Sequence, residues 1–264
     1  AGRVAPRMAT EDRVAKYGTE RLRVIFANMM LEDFRQEYEL DWVDESVSFF
    51  TWVELKRAQR VSQEGGHRYW KHKGVGGLDH IIRGLNAIAA LKKGEGALYA
   101  GLDIGRRHDL SELILVAKTA DNHLMARANV SMYNTPFDEQ QNVVDRVCTE
   151  LPLVKMLIDM TGIGMQLAET SEKRHGGRVE GMMFNQASKE LMAVATKVQL
   201  QKELLLLPAD RDLINQVHSI RRIVSANKKL TLDVARTEKH HADKAWALFL
   251  AVYAATQPPG VFLR

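Results

Sequence analysis

The stretch LYAGLDIGRRHDLSEL, from Leu98 to Leu113, decides the fold of this chain. Its apolar first half predicts a buried strand that ends in a carboxylate, Asp103, and a tight turn follows at Gly105. A second carboxylate, Asp109, precedes another apolar run that predicts a second strand. An unpaired charge at the end of a buried strand is unfavourable. Asp103 is therefore expected either to stabilise the turn or to bind a cation.

The residues that flank this stretch predict a mixed α/β domain. Turn residues at Asp121 and Asn122 join the second and third predicted strands, and Pro136 begins a helix because proline suits the first helical turn. Helices and strands then alternate, which fits an RNase H-like mixed central sheet flanked by helices. The predicted strands are 97–104, 112–119, 122–131, 154–159, 179–184 and 204–207, the predicted helices are 136–150, 163–175, 187–202, 210–219 and 242–256, and a basic hairpin is predicted at 220–226 and 229–235.

The first 95 residues have a different character, polar and mostly helical. Apolar residues recur at helical spacing in Thr19–Met30, and Val53–Val61 predicts a further helix. The stretch Ser62–Gly77 is rich in Gly, His and Lys, which is typical of a linker or a mobile loop. We therefore expect an N-terminal helical extension over residues 1–95 and the α/β domain over residues 96–264.

The composition of the 264 residues, 45% hydrophobic and 27% charged, is that of an ordinary globular protein. No apolar run approaches the roughly 18 residues that a membrane span needs, and AGRVAPRMAT lacks the apolar core of a signal peptide. We therefore expect neither a membrane span nor secretion. The single cysteine, Cys148, excludes an intramolecular disulfide and a Cys-rich zinc site. The formal charge of +4 is compatible with a polyanionic partner.

Two further carboxylates lie at positions comparable to that of Asp103. The run VKMLIDMTGIG predicts a strand that ends at Asp159, and Asp243 lies in the first turn of the apolar helix in HHADKAWALFLAVYAA. In an RNase H-like sheet the ends of the first and fourth strands are neighbours. A helix over the sheet can bring its N-terminal acid to the same place. We therefore predict that Asp103, Asp159 and Asp243 converge.

Converging carboxylates repel one another strongly unless divalent cations neutralise them. Mg²⁺ and Mn²⁺ prefer such all-oxygen ligands, and two ions about 3.5–4 Å apart can activate a water and stabilise the leaving oxygen of a phosphodiester. We interpret Asp103, Asp159 and Asp243 as metal-binding, catalytic acids, and Asp109 as a candidate fourth ligand or outer base. Each acid by itself also has a simpler explanation as a turn or cap residue.

Basic side chains lie close to these acids in the sequence. Arg106, Arg107 and His108 follow the first acid and are candidates for phosphate contacts. Lys244 is a candidate to orient a phosphate or a water, although neighbours on a helix point about 100° apart. Lys189, near the start of a predicted helix, receives no role. For the charged residues a solvated surface is the alternative explanation. The predicted hairpin adds Arg221, Arg222, Lys228 and Lys229 as candidates for contacts with a duplex backbone.

Together these segments resemble the C-terminal nuclease domain of the large subunits of tailed-phage and prophage terminases. GLDIGRRHDLSEL, LIDMTGIGMQLAE and HHADKAWALFLA look like the three acidic motifs of that domain, in the same order. GMMFNQASKELM and LLLLPADRDLINQVHSIRR are further similar segments between them. Upstream, MMLEDFRQEYELDWVDES is similar to the segment that joins the packaging ATPase to the nuclease. The likeness covers about residues 20–255.

By this resemblance Asp103, Asp159 and Asp243 correspond to the metal-binding acids, and Asp109 to an additional acid of some members. The resemblance implies an Mg²⁺- or Mn²⁺-dependent endonuclease that cleaves double-stranded viral DNA during genome packaging, with little sequence preference, in the host bacterial cytoplasm. It also implies the portal protein and the small terminase subunit as partners. The family's phosphate loop, G-x-x-x-x-G-K-[ST], is not found here, so we expect DNA cleavage without ATP hydrolysis.

Three other functions stay open on the sequence alone. Another RNase H-like enzyme, such as a junction resolvase or a transposase, also places acids on the first and fourth strands. A sugar-kinase or actin-like fold binds phosphate through a metal at a GLDIG turn, but it needs two such domains. A non-catalytic DNA clamp or assembly module would use the acids structurally.

Overall fold

The computed structural model describes residues 8, 10–27, 38, 48–65, 68–73, 83–84, 97–105, 110–224, 230–234 and 242–257. The chain forms two compact units, Ala1–Val47 and Ser48–Arg264. The described residues up to Ala27 form two short helices of the first unit, α1 (Thr10–Tyr17) and α2 (Glu20–Ala27). The hydroxyl of Thr19 accepts a hydrogen bond from the backbone N–H of Leu22 at 3.2 Å, as a residue that caps a helix N-terminus does.

Within the described residues of the second unit, seven strands form one mixed sheet. They are β1 (Trp70–Lys73), β2 (Ala97–Asp103), β3 (Leu110–Lys118), β4 (Leu124–Tyr133), β5 (Leu153–Asp159), β6 (Val179–Met182) and β7 (Leu205–Leu206). The order is β1-β4-β3-β2-β5-β6, and β7 pairs with β4. β2, β3 and β4 are antiparallel, whereas β5 is parallel to β2 and β6 is parallel to β5. This arrangement places the ends of β2 and β5 at one edge of the sheet.

Apolar side chains cover both faces of this sheet. The central strands are near-continuous runs of buried residues, as expected when helices cover both faces. The hairpin between β3 and β4 turns at Asn122, whose φ of 65° lies in the left-handed region that asparagine tolerates. In the described ranges of this unit the α-helices with given bounds are α3 (Trp52–Glu64), α4 (Phe137–Glu150), α5 (Gly164–His175), α6 (Gln186–Gln201), α7 (Arg211–His218) and α8 (Asp243–Thr256). A separate hairpin consists of β8 (Ile220–Val224) and β9 (Leu230–Val234).

Helix α8 lies deepest in the molecule. Every residue from Lys244 to Ala255 is buried, and the helix packs against β2, β3 and β5. The close approach requires glycine at Gly101, because a Cβ there would lie 2.1 Å from the carbonyl oxygen of Ala247. Helices α4 and α5 contribute to the separate apolar cluster on the other face. The sheet therefore holds the N-terminus of α8 close to the strand ends.

The predicted mixed central sheet flanked by helices is confirmed. The interpretation of Ser62–Gly77 as a linker is wrong for its described part, which contains the end of α3 and the strand β1. Trp70 in β1 pairs with Ala128 in β4 and packs against the apolar cluster. The strand WKHK was missed because it is short, polar and at an edge, so it carries no apolar alternation.

The division of the chain also differs from the predicted boundary after residue 95. The second compact unit begins at Ser48. Phe50 is fully buried, and the backbone N–H of Phe49 donates to the carbonyl oxygen of Ile220 at 2.9 Å. These contacts join residues far apart in sequence, so local patterns did not predict them. Among the described helices, none has the length and apolar character of a membrane span.

Candidate metal centre

The ends of β2 and β5 place two aspartates side by side. In the parallel pairing of these strands Leu102 lies opposite Ile158, so the residues that follow, Asp103 and Asp159, end neighbouring strands at the same edge. Both aspartates are largely buried, with 8% and 7% of their surface exposed. Apolar strands bring these charged side chains out of water, and the sheet pairing brings them together, as the sequence predicts.

The third predicted acid, Asp243, is the first residue of α8. A carboxylate is favourable at a helix N-terminus, where unpaired backbone N–H groups point outward. The negative charge of Asp243 raises the pKa of Asp103, so the two carboxylates lie within electrostatic reach of each other. The charge of Asp159 raises the same pKa. The charges of both other acids therefore act on Asp103.

Burial makes ionisation of these acids unfavourable. It is the largest cause that raises the pKa of Asp103 well above its usual range, and repulsion from Asp243 and Asp159 adds to it. Burial also raises the pKa of Asp159, although the N–H of Thr161 partly offsets this by donating to Oδ1 at 2.9 Å. The neighbourhood therefore favours any cation that compensates the charge.

A fourth buried carboxylate, Glu112, lies opposite Asp103 on β3 and is 1% exposed. Its Oε2 accepts hydrogen bonds from Nδ2 of Asn129 at 2.7 Å and from the hydroxyl of Ser131 at 2.8 Å. Burial raises the pKa of Glu112 to about 7. Glu112 is not among the predicted site residues, because it lies inside an apolar strand. A usable signal was the pair Asn129 and Ser131, two polar residues at alternate positions of the apolar strand β4.

Lys189, for which the sequence predicts no role, lies in the first turn of α6. Its charge lowers the pKa of both Asp103 and Asp159. A lysine early in a helix is ordinarily a solvated residue, so nothing in the local pattern distinguishes this one. Only the packing of α6 beside α8 reveals its position.

Lys244, the predicted auxiliary residue, forms an ion pair between helices. It is 3% exposed, and its Nζ contacts Oδ2 of Asp212 on α7. Its backbone N–H donates to Oε1 of Gln216 at 2.9 Å. The charge of Lys244 also lowers the pKa of Glu112. Lys244 thus pairs with Asp212 next to the helix start that bears Asp243. Its role in orienting a phosphate or a water stays a prediction.

The remaining predicted positions are mostly not described. Arg221 is described and is half-buried in β8, where it pairs with Asp233 of β9. Its backbone also forms an isolated antiparallel β-bridge with Ser48. Its contact with a duplex stays a prediction. Arg106, Arg107, His108, Asp109, Lys228 and Lys229 lie outside the described residues, as does the side chain of Arg222.

In the described part of the chain no group of three or more His, Cys, Asp or Glu is placed to hold a metal ion. The donor chemistry nevertheless fits a hard divalent cation. Asp103, Asp159 and Asp243 offer only oxygen ligands, which suit Mg²⁺ and Mn²⁺. The pKa of Asp103 is raised by both other acids, so a cation among them would relieve a repulsion that the fold itself imposes.

No family model and no curated protein matches this chain. Solved structures do resemble it. The large terminase nuclease from thermophilic phage G20c with bound magnesium has a TM-score of 0.50 and 17% identity, covering 59% of this chain and 80% of that chain. A mutant nuclease fragment of the large terminase subunit from bacteriophage Sf6 with calcium has a TM-score of 0.51 and 12% identity, covering 75% and 96%.

The Sf6 nuclease domain with manganese and beta-thujaplicinol is similar to the same degree, with a TM-score of 0.50 and 12% identity over 75% of this chain and 95% of that chain. These neighbours are nuclease domains of phage terminase large subunits, which have an RNase H-like fold. The predicted RNase H-like fold is therefore confirmed, and the structural neighbours belong to the family that the sequence resembles.

Proposed function

We propose that this chain is the nuclease part of a phage or prophage terminase large subunit and that it cleaves double-stranded DNA with divalent metal ions. The observation that carries the proposal is the meeting of Asp103 and Asp159 on adjacent strand ends, with the charge of Asp243 acting on Asp103. The likeness in fold to terminase nuclease domains supports the family assignment.

In this proposal Asp103, Asp159 and Asp243 hold two Mg²⁺ or Mn²⁺ ions. When bound, such ions generate a nucleophilic water and stabilise the leaving oxygen of a phosphodiester. The protein contributes two largely buried acids on adjacent strand ends and a third acid at the N-terminus of α8. The N–H of Thr161 fixes one oxygen of Asp159, and Asp243 lies at the N-terminus of α8, a position that suits a carboxylate. Asp109 remains the candidate additional acid.

Contacts with DNA are proposed for the basic residues near these acids. Arg106, Arg107 and His108 follow the first acid, and the β8–β9 hairpin adds Arg221, Arg222, Lys228 and Lys229. Such contacts give affinity that depends on salt but not on sequence, as cleavage with little sequence preference requires. The portal protein, the small terminase subunit and a location in the host bacterial cytoplasm are proposed from the same family assignment.

The test is cleavage of supercoiled plasmid with Mg²⁺ or Mn²⁺, with and without EDTA. We expect EDTA-sensitive nicking and linearisation by the wild-type chain and loss of both in Asp103→Asn and Asp243→Asn. Asp121→Asn is the matched control, since Asp121 is an exposed turn residue between β3 and β4. Equal cleavage by all four proteins would show that the acids are turn and cap residues.

A branched substrate separates the proposal from its nearest alternative. A junction resolvase would cleave a four-way junction in preference to linear duplex of the same sequence, whereas a packaging nuclease should cleave both. A chain that binds duplex DNA but cleaves neither substrate with either metal would favour a clamp.

A further inference from the structure

The first turn of α8 is capped by a side chain from another helix. In α3, α6 and α7 the residue directly before the helix accepts a hydrogen bond from a backbone N–H of the first turn through its own side chain. The residue before α8 is Ala242, which has no side-chain oxygen and makes no such bond. Instead Oε1 of Gln216, on α7, accepts a hydrogen bond from the backbone N–H of Lys244 at 2.9 Å.

This hydrogen bond is made where a local cap would act. Lys244 is the second residue of α8, and a capping side chain ordinarily accepts from the N–H of the second or third helical residue. The N–H of Lys244 belongs to the planar peptide group that begins at the Cα of Asp243. Gln216 therefore holds the backbone from which the side chain of Asp243 projects.

Helix α7 is in turn fixed to the central sheet. Asp210 precedes this helix, and its Oδ1 accepts from the backbone N–H of Asp212 at 3.2 Å. The same oxygen accepts from Nζ of Lys71, on β1, at 3.0 Å. The other two acids of the candidate site lie at the ends of β2 and β5 in this sheet. Gln216 thus completes a hydrogen-bonded connection from the sheet to Asp243.

Two residues of α7 contact Lys244 in different ways. Asp212 pairs with the ammonium group at the end of the side chain, whereas Gln216, one turn later on the same face, accepts from the main chain. Nε2 of Gln216 donates to Oδ1 of Asp212 at 3.4 Å, which orients the amide so that its oxygen meets the N–H. Loss of Asp212 would remove an ion pair. Loss of Gln216 would release the peptide group next to Asp243.

We propose that Gln216 is a positioning residue for Asp243, which it preorganises to bind a divalent ion together with the strand-end acids. The inference rests on the proposed function, since it requires a metal site at these carboxylates. In this role Gln216 contacts neither metal nor DNA and acts only through the first turn of α8. Outer contacts that orient metal ligands change metal affinity about 10–100-fold when they are lost.

The test is titration of the metal-free protein with Mn²⁺ by isothermal calorimetry. Gln216→Met keeps most of the side-chain length without an acceptor oxygen, and it should bind Mn²⁺ about tenfold more weakly than the wild type. Gln216→Glu keeps an acceptor oxygen at the same reach and should bind Mn²⁺ at least as tightly as the wild type. Asp212→Asn is the matched control on the same face of α7, and it should lower the stability to urea without changing the affinity.

A second measurement needs no metal. Amide hydrogen exchange, followed by NMR, should be faster at the N–H of Lys244 in Gln216→Met than in the wild type, because the hydrogen bond that protects this group is lost. In Gln216→Glu the exchange should stay slow. An exchange rate that is the same in all three proteins would show that Gln216 does not cap α8, whatever the metal affinity.

An unchanged affinity for Mn²⁺ in Gln216→Met would overturn the inference while leaving the metal site intact. Equal losses of affinity in Gln216→Met and Asp212→Asn would also contradict it, because the contact between the helices would then act through stability alone. Wild-type protein that binds no Mn²⁺ would overturn the metal site and this inference with it. Circular dichroism checks that each variant is folded. If the methionine variant does not fold, Gln216→Ala replaces it with the same expectation.

Discussion

Two acidic regions lie near the start of α8, and they differ in how their charges are compensated. In one, Asp210 accepts from Nζ of Lys71 at 3.0 Å, and Asp212 pairs with Lys244. Burial raises the pKa of Asp212, but the hydrogen bond and charge of Lys244, together with Gln216 and Lys71, hold it below its usual range. In the other region burial raises the pKa of Asp103, and the charges of further acids add to it.

The comparison distinguishes acids that stabilise the fold through an ion pair with a lysine from acids whose charge a bound cation would compensate. A carboxylate with its own lysine stabilises the contact between two helices. A buried carboxylate whose pKa is raised by burial and by other carboxylates destabilises the folded state until a cation or a proton compensates its charge. The fold tolerates this cost at Asp103 because the surrounding sheet and α8 are extensively buried. We therefore expect substitutions in the two regions to have opposite effects on stability.

The largest expected effect is that of Asp103→Asn. Cleavage of plasmid should fall at least about a hundredfold, because a ligand to the catalytic ions is lost. The metal-free protein should at the same time gain about 1 kcal/mol in free energy of unfolding, because a buried repulsive charge is removed. Urea denaturation in EDTA measures the second effect. A loss of stability together with the loss of cleavage would mean that Asp103 is structural, which would remove the contrast between the regions.

Asp212→Asn should act in the opposite direction. It leaves Lys244 buried without its carboxylate partner, so we expect a loss of about 1–2 kcal/mol, reduced by the solvent that screens the half-exposed Asp212. Affinity for Mn²⁺ should be unchanged. Urea denaturation and calorimetry of the same preparation check both statements. A large loss of metal affinity with unchanged stability would place Asp212 in the metal site instead.

The pH dependence of the free energy of unfolding should reveal the raised pKa of Glu112. Its pKa is raised from 4.5 in the unfolded chain to about 7 in the folded protein, so its stabilising contribution is fully present below pH 4.5 and declines as the pH rises through 7. Between pH 6 and 8 this decline amounts to about 1 kcal/mol.

Replacing Glu112 by Gln should flatten the curve of metal-free stability in that window. The range from pH 6.5 downward is less informative, because burial lowers the pKa of His218 to about 4 and stability from this residue is lost as the pH falls toward that value. Urea denaturation at pH 6, 7 and 8 in EDTA is the measurement. Parallel curves for wild type and Glu112→Gln would contradict a raised pKa at Glu112.

The smallest expected effect lies outside both acidic regions, at Arg221. Arg221→Gln should weaken binding to linear duplex about threefold in low salt, equally for unrelated sequences, because one phosphate contact is lost. Fluorescence anisotropy against salt concentration is the measurement. An unchanged affinity and an unchanged salt dependence would contradict a phosphate contact of the Arg221 side chain, since its β-bridge with Ser48 is a backbone pairing that the substitution leaves in place.

The sequence was sufficient for most of the central sheet and for the position of two of the three acids at strand ends. Asp103 and Asp159 each close an apolar run of strand length, so burial of the run and the position of the charge follow from consecutive residues. The strand β1 was missed, because a short polar edge strand has no such pattern. Asp243 was placed by the expected topology, since nothing local shows that the start of its helix meets the strand ends.

What the sequence determined by itself is most of the elements and the order of the acids along them, because apolar periodicity is a property of neighbouring residues. Only the tertiary structure decided which charges are compensated. Lys244 pairs with Asp212 on another helix. Glu112 accepts hydrogen bonds from Asn129 and Ser131 on another strand. The charge of Lys189 on α6 lowers the pKa of Asp103 and Asp159 at the strand ends. The pKa of a buried group depends on every charge near it in space, and those charges come from parts of the chain that no local pattern connects.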